Sequence, residues 1–248
     1  MTDIAHLIDT VICGDCLEVY PTLPKAKMVF ADPPDNLGMK YDGYRDKIPD
    51  WKYDVFLSKV IHMVLEGKDT TDENTPDIFW LSFYHHYLPC VHEWTGGERD
   101  WKQFIWYFTF GQHRHSDCGN NYRPIMRWMK KGAVIYPDAI RVPSARQLQY
   151  NDKRADPRGR VPGDVWEFPR VCGTFHERRK WHPTQHPEAL MERIIKMSCV
   201  PGDLVIDLFA GTGTTLRVCK RLGIDCIGIE MSKAYCERID QDTAKGGD

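Results

Sequence analysis

Apolar residues in this chain gather in short runs, separated by stretches in which apolar positions recur three and four apart. The runs at 10–13, 28–31, 77–82, 104–110, 133–136, 204–209 and 226–229 are rich in β-branched and aromatic residues and predict strands. Residues 53–65 place apolar side chains at helical spacing, with Gly67 as a stop, and 187–197 reads the same way, opening at Pro187 and ending before Pro201-Gly202. Strands alternating with helices predict an α/β fold, a doubly wound and mostly parallel sheet covered on both faces. Only one strand and one helix follow the run at 204–209, so the sheet needs a further strand on that side. The N-terminal run leading into Gly14-Asp15 is predicted to supply it.

The run at 204–209 ends in an acidic residue and a tight glycine turn, Asp207-Leu208-Phe209-Ala210-Gly211-Thr212-Gly213-Thr214-Thr215. In an open α/β sheet this is where a buried strand hands over to a helix, at the edge that binds ligands. Glycines at 211 and 213 let backbone approach a ligand without Cβ obstruction. Glu230 closes the next apolar run 23 residues after Asp207, near the roughly 20 expected for an acidic residue that binds ribose hydroxyls. The third glycine of a dinucleotide fingerprint and the lysine of a phosphate loop are both missing, so the spacing suits a nucleoside without phosphates.

Length and charge narrow this further. The 248 residues have room for one α/β domain spanning 1–248, with an inserted region at about 111–163. No apolar run nears the roughly 20 residues of a membrane span, and Met1-Thr2-Asp3 does not open a basic-then-apolar leader, so a cytoplasmic protein is expected. Nine cysteines, an odd number scattered through predicted strands and helices, fit reduced thiols better than a disulfide framework. A formal net charge of -2 means that any nucleic-acid surface must be local. The window 121–160 carries ten basic residues against three acidic ones, and its prolines and glycines read as a loop. Arg141, Arg146, Lys153, Arg154, Arg158 and Arg160 are its candidate nucleic-acid contacts, with Gln147 and Gln149 as further candidates for reading base edges.

The glycine turn resembles motif I of S-adenosylmethionine-dependent DNA methyltransferases, and Asp32-Pro33-Pro34-Asp35 resembles the catalytic motif IV of the amino-methylating group. Gly14-Asp15-Cys16-Leu17 with Leu23, then Asp164-Val165-Trp166-Glu167, then His182-Pro183-Thr184-Gln185-His186-Pro187 follow the order of the β class, in which the catalytic motif precedes the donor motif. The resemblance implies a Rossmann-like methyltransferase fold with circularly permuted motif order. It also implies S-adenosyl-L-methionine as cofactor, DNA (double- or single-stranded) as partner, a possible homodimer and a place in restriction-modification. The donor set it implies is Asp15, Cys16, Thr184, Asp207, Phe209, Ala210, Gly211, Gly213, Thr214, Thr215 and Glu230.

Methylating an exocyclic amine is difficult because its nitrogen lone pair is delocalised into the base. Two acceptors, the Asp32 carboxylate and the Pro33 carbonyl, could hold the NH₂ group so that its lone pair faces the sulfonium methyl in line. Pro33 and Pro34 stiffen the backbone that carries them. No metal is required. The leading Asp favours N6 of adenine over N4 of cytosine by resemblance, and a base inside a duplex must be flipped out to reach such a site. Two positions depart from the family pattern. Asp35 stands where Tyr, Phe or Trp usually stacks on the base, leaving Tyr41 or Tyr44 as substitutes, and His186 stands where a Lys is common.

Other chemistries leave weaker traces. Pro89-Cys90 resembles the nucleophile of C5-cytosine methyltransferases, but the acidic motif those enzymes need is missing. Cys13 with Cys16, and the histidines at 85, 86 and 92, have metal-like spacing without a complete ligand set. An RNA or small-amine methyltransferase, or a nucleic-acid-binding protein that keeps the fold with weakened catalysis, would share most of these residues.

Overall fold

The structure, a computed structural model, describes residues 5–67, 75–94, 100–109 and 115–244. Eight strands form one sheet in the order β1-β8-β7-β2-β3-β5-β4-β6. They are β1 (Thr10–Cys13), β2 (Met28–Ala31), β3 (Ile78–Ser82), β4 (Asp100–Tyr107), β5 (Tyr122–Met129), β6 (Val165–Glu167), β7 (Leu204–Asp207) and β8 (Asp225–Glu230). The helices are α1 (Cys16–Val19), α2 (Asp50–Glu66), α3 (Leu88–Glu93), α4 (Ala145–Leu148), α5 (Glu188–Ser198), α6 (Thr214–Leu222) and α7 (Lys233–Ala244). Pairing is parallel everywhere except between β5 and its neighbours β3 and β4. The N-terminal strand does complete the far edge, Thr10 to Cys13 lying beside Ile227 to Glu230.

Side chains alternate across the sheet and build two cores. Met28 and Phe30 of β2 face the layer that holds Leu190, Ile194, Leu216 and Val218 of α5 and α6. Val29 and Ala31 face the opposite layer, with Tyr53, Leu57, Val60 and Ile61 of α2. Strands buried on both faces read as continuous apolar runs, which is why β2, β3 and β7 are plain in the sequence. No helix among the described residues is long and apolar enough to cross a membrane.

Two strand expectations need correction. Residues 133–136 form no strand; Ala133 and Ile135 pack on the core as irregular chain, and the Tyr136 amide bonds to the Met197 carbonyl at the end of α5. Their apolar character comes from covering a helix. The strand lies earlier, at β5, where Pro124, Arg123 and Arg127 hide it from a hydrophobicity pattern. Arg127 is nevertheless buried, its guanidinium 5.6 Å from the Trp80 ring and 5.4 Å from that of Phe104. Within the stretch expected as an insertion, 111–163, β5 is an integral strand of the sheet, irregular chain follows Met129, and 111–114 lie outside the described residues. Finally, the strand expected at 104–110 starts earlier, at Asp100, and ends at Tyr107, with Phe110 outside the described residues.

Candidate active site

Parallel strands deliver their C-terminal ends to one edge of a sheet, and here that edge is a cavity of about 390 Å³. Asp32 to Asp35 follow β2, Phe209 to Thr212 follow β7, Glu230 ends β8, and Gly14 to Cys16 follow β1; all line it. The loop before α5 adds His182, Thr184 and His186. Because β5 runs the other way, it contributes its first residues, Tyr122 and Arg123.

On the β7–β8 side, the loop is held open by its own acidic residues. Asp207, buried at the strand end, accepts from the Phe209 amide at 3.0 Å and the Thr215 hydroxyl at 2.5 Å. Burial pushes its carboxyl up to about 6, those two hydrogen bonds opposing the shift. Glu230 accepts from the Gly211 and Ser232 amides at 3.0 and 2.8 Å, and burial raises its pKa too. Gly211 and Gly213 have φ of 55° and 72°, in the left-handed region that glycine enters freely. A Cβ at Gly211 would lie 3.4 Å from the His182 ring. The His182 Nδ1 lies 2.5 Å from the Thr184 carbonyl oxygen, and burial lowers its pKa.

Across the cavity, the Asp32 to Asp35 loop is braced from beneath. Tyr53 of α2 donates to the Pro34 carbonyl at 2.6 Å. Asn36, buried and at φ 60°, takes the Asp46 carboxylate on its amide and donates its side-chain amide toward the Ile48 carbonyl, Asp50 and Tyr87. Its own side-chain oxygen accepts from the Ile48 amide at 2.7 Å. The sequence reading missed this residue; its signal was an Asn directly after the motif, a residue type that tolerates the left-handed conformation.

Asp32 meets two donors. One carboxylate oxygen is 2.6 Å from Nη2 of Arg123 and the other 3.1 Å from Nδ1 of His186. Those two partners overcome burial and hold the carboxyl well below the usual range, so Asp32 is ionised at neutral pH. Arg123 also grips Asp35 with both Nη atoms, at 2.6 and 2.8 Å, and donates from Nε to Ser82 at 2.6 Å. Ser82 Oγ lies 3.1 Å from Nε2 of His186, closing a ring of four residues around the carboxylate.

The remaining sequence-marked residues divide. Asp15 lines the cavity and also caps α1, accepting from the Leu17 amide at 2.9 Å. The Cys16 thiol is buried and pushed up to about 12. Thr214 and Thr215 line the cavity at the start of α6, whose N-cap is Gly213. Tyr41 lies beside Thr184 and His182, its hydroxyl 3.5 Å from the Thr184 hydroxyl, and Tyr44 packs on it with ring centroids 6.3 Å apart. Arg141, Arg146, Lys153, Arg154, Arg158 and Arg160 are not among the cavity's lining residues. Three of them face local carboxylates: Arg141 meets Asp138, Arg154 meets Asp152 and Arg158 meets Asp156. Cys90 sits on α3, away from the cavity lining. Among the described residues no group of three or more His, Cys, Asp or Glu side chains is arranged to hold a metal.

Residues 26–241 match the DNA methylase family of N6/N4 methyltransferases. The chain belongs to that family. A DNA adenine methyltransferase of Escherichia coli K12, YhdJ, is 36% identical over 249 residues, covering 91% of this chain and 79% of its own. The type II methyltransferase M.HpaI of Haemophilus parainfluenzae is 33% identical, covering 91% and 71%. Among solved structures, the PvuII DNA methyltransferase (cytosine-N4-specific) superposes with a TM-score of 0.67 at 15% identity, over 93% of this methylase and 84% of that chain. The putative DNA modification methylase TTHA0409 of Thermus thermophilus, complexed with S-adenosyl-L-methionine, gives 0.61 at 19% identity, over 96% and 93%. The Rossmann-like fold expected from the sequence is thus the fold of this methylase.

Proposed function

We propose that this methylase transfers a methyl group from S-adenosyl-L-methionine to N6 of adenine in DNA, on a base flipped into the cavity. The observation that carries the proposal is that an ionised, doubly tethered Asp32 and the open glycine turn at Gly211 line one cavity. The residues present suit the donor: Gly211 offers backbone without a Cβ, and Glu230 stands at the end of β8 to meet a ribose. Asp207, Phe209, Ala210, Thr214, Thr215, Asp15, Cys16 and Thr184 complete its surroundings, while Gly213 lies outside the cavity lining and shapes the turn at φ 72° as the N-cap of α6. When bound, the donor supplies an electrophilic methyl on sulfur.

This chain's own residues handle the amine. Asp32 and the Pro33 carbonyl accept its two N–H groups, which turns the nitrogen lone pair away from conjugation and toward the methyl. The nitrogen forms its bond to carbon as the carbon–sulfur pair leaves with sulfur, and the methylated amine then sheds a proton. With its pKa held low, Asp32 orients the amine and is a weak base. The choice of adenine rests on the leading Asp of the motif and on the 36% identical relative named an adenine methyltransferase. Exposed cations of the 141–160 loop would add phosphate contacts, in a single domain that works in the cytoplasm and pairs as a homodimer.

Labelled methyl transfer to mixed-sequence DNA, single- and double-stranded, followed by nucleoside mass analysis, tests this reading. N6-methyladenine is expected, and Asp32→Ala should abolish it while donor binding persists. N4-methylcytosine would replace the base, and transfer to RNA alone would replace the substrate.

A further inference from the structure

Position 35 presents a contradiction if its role is to stack on the base. A carboxylate cannot stack, yet its side chain is largely buried and both its oxygens are taken by one arginine. We propose that Arg123 and Asp35 are positioning residues that lock the Asp32 carboxylate for the target amine, so that position 35 serves the catalytic carboxylate and not the face of the base. This rests on the methyl-transfer reading of the same cavity and extends it to Arg123, outside the family's motif, and to Asp35, where the chain departs from that motif.

Three features of the geometry support the assignment. A carboxylate turns easily about its terminal torsion, and Asp32 is pinned at both oxygens, by Arg123 at 2.6 Å and His186 at 3.1 Å. The guanidinium is itself fixed in plane, because its Nε, Nη1 and Nη2 atoms all have acceptors, on Ser82, Asp35 and Asp32. A planar fork tied at three corners transmits that orientation to the carboxylate. Finally, each carboxylate oxygen has about two acceptor sites, and the tethers take one apiece. Capacity for the amine remains, and Asp35 keeps Arg123 in place when the amine engages Asp32.

The charged and titratable groups around this cluster come from several elements. Ser82 ends β3, Arg123 begins β5, and His186 precedes α5. Asp207 of β7, Tyr41 and His182 each feel the Asp32 charge, and Tyr53 of α2 feels Asp35. Among the described residues, Arg123 and His186 are the groups that favour the Asp32 anion against its burial. Without Arg123, less opposes burial and the carboxyl titrates at higher pH.

The test uses the full chain and the variants Arg123→Met, Arg123→Lys, Asp35→Asn and Asp35→Tyr. Donor affinity by calorimetry reports the intact fold; kcat and KM for DNA are measured separately from pH 5 to 9. Arg123→Met should lower kcat by about 100-fold, the scale of a small misplacement at a reacting centre, with KM for DNA changed little. Its activity should also acquire an acid limb that the wild type lacks, and Arg123→Lys should recover part of both effects. Restoring the aromatic with Asp35→Tyr should lower kcat. Equal or higher turnover in Asp35→Tyr overturns the proposal, as does a loss in Arg123→Met confined to KM with an unchanged pH profile. If Arg123→Met fails to bind donor, Asp35→Asn decides by the same criteria. Carbon-13 NMR titration of the Asp32 carboxyl, assigned with Asp32→Asn, needs no turnover: the signal must move to higher pH in Arg123→Met. A wild type that methylates nothing would then sink the methyl-transfer reading while the titration still judges the clamp.

Discussion

Asp207→Asn should stabilise this protein, and the gain should depend on pH in a way fixed by burial at the end of β7. The carboxyl is 2% exposed, and its pKa rises from an ordinary 3.8 to about 6 in the folded chain. A carboxyl whose folded pKa is raised supports folding fully only below its unfolded pKa, and that support is lost as pH rises through the folded value. The difference of roughly two units corresponds to about 3 kcal/mol at neutral pH. Asparagine never ionises, can still accept from the Phe209 amide, and can donate to the Thr215 hydroxyl, so it escapes the penalty. Urea unfolding of both proteins from pH 4 to pH 7.5 would measure it by linear extrapolation. The advantage of the variant over wild type should grow by about 2 to 3 kcal/mol across that range, most of it below pH 6, and then level off. A stability difference that stays constant between pH 4 and pH 7.5 would show that the buried carboxyl does not carry the strain assigned to it. Donor binding should weaken in the same variant if the Asp207 charge helps shape the glycine turn.

Two further changes probe the halves of the cavity. Gly211→Val places a branched side chain at φ 55° and 3.4 Å from the His182 ring; donor affinity by calorimetry should fall at least about 100-fold, since a β-branched residue strains that conformation and fills the cradle. Unchanged affinity would remove Gly211 from the donor site. Asn36→Ala removes a buried hub with partners on Ile48, Asp50 and Tyr87; unfolding should be easier by roughly 2 to 4 kcal/mol, because the stranded backbone groups lose their partners. Methyl transfer should fall further than stability alone explains, and equal activity in the folded variant would separate Asn36 from the positioning of Asp32.

The sequence by itself determined the elements whose physics is local. Strands buried on both faces must be apolar throughout, so β2, β3, β7 and β8 declared themselves, as did α2 with its stop at Gly67. The glycine turn and the proline-flanked Asp32 carry their chemistry in consecutive residues, and their order along the chain pointed to the permuted sheet. Other features depended on partners distant in sequence. β5 was hidden because its arginines find acceptors and aromatic faces only in the folded chain, Arg127 between Trp80 and Phe104 and Arg123 on Asp32 and Asp35. Counted in sequence, both looked like part of a solvated basic loop. The antiparallel direction of β5, which brings Arg123 to the edge where the parallel strands end, has no signature in the spacing of residues. Asp35 and His186 read as departures from a motif for the same reason: a residue's partner 88 or 104 positions away is chosen by strand order and direction, and only the tertiary structure supplies those.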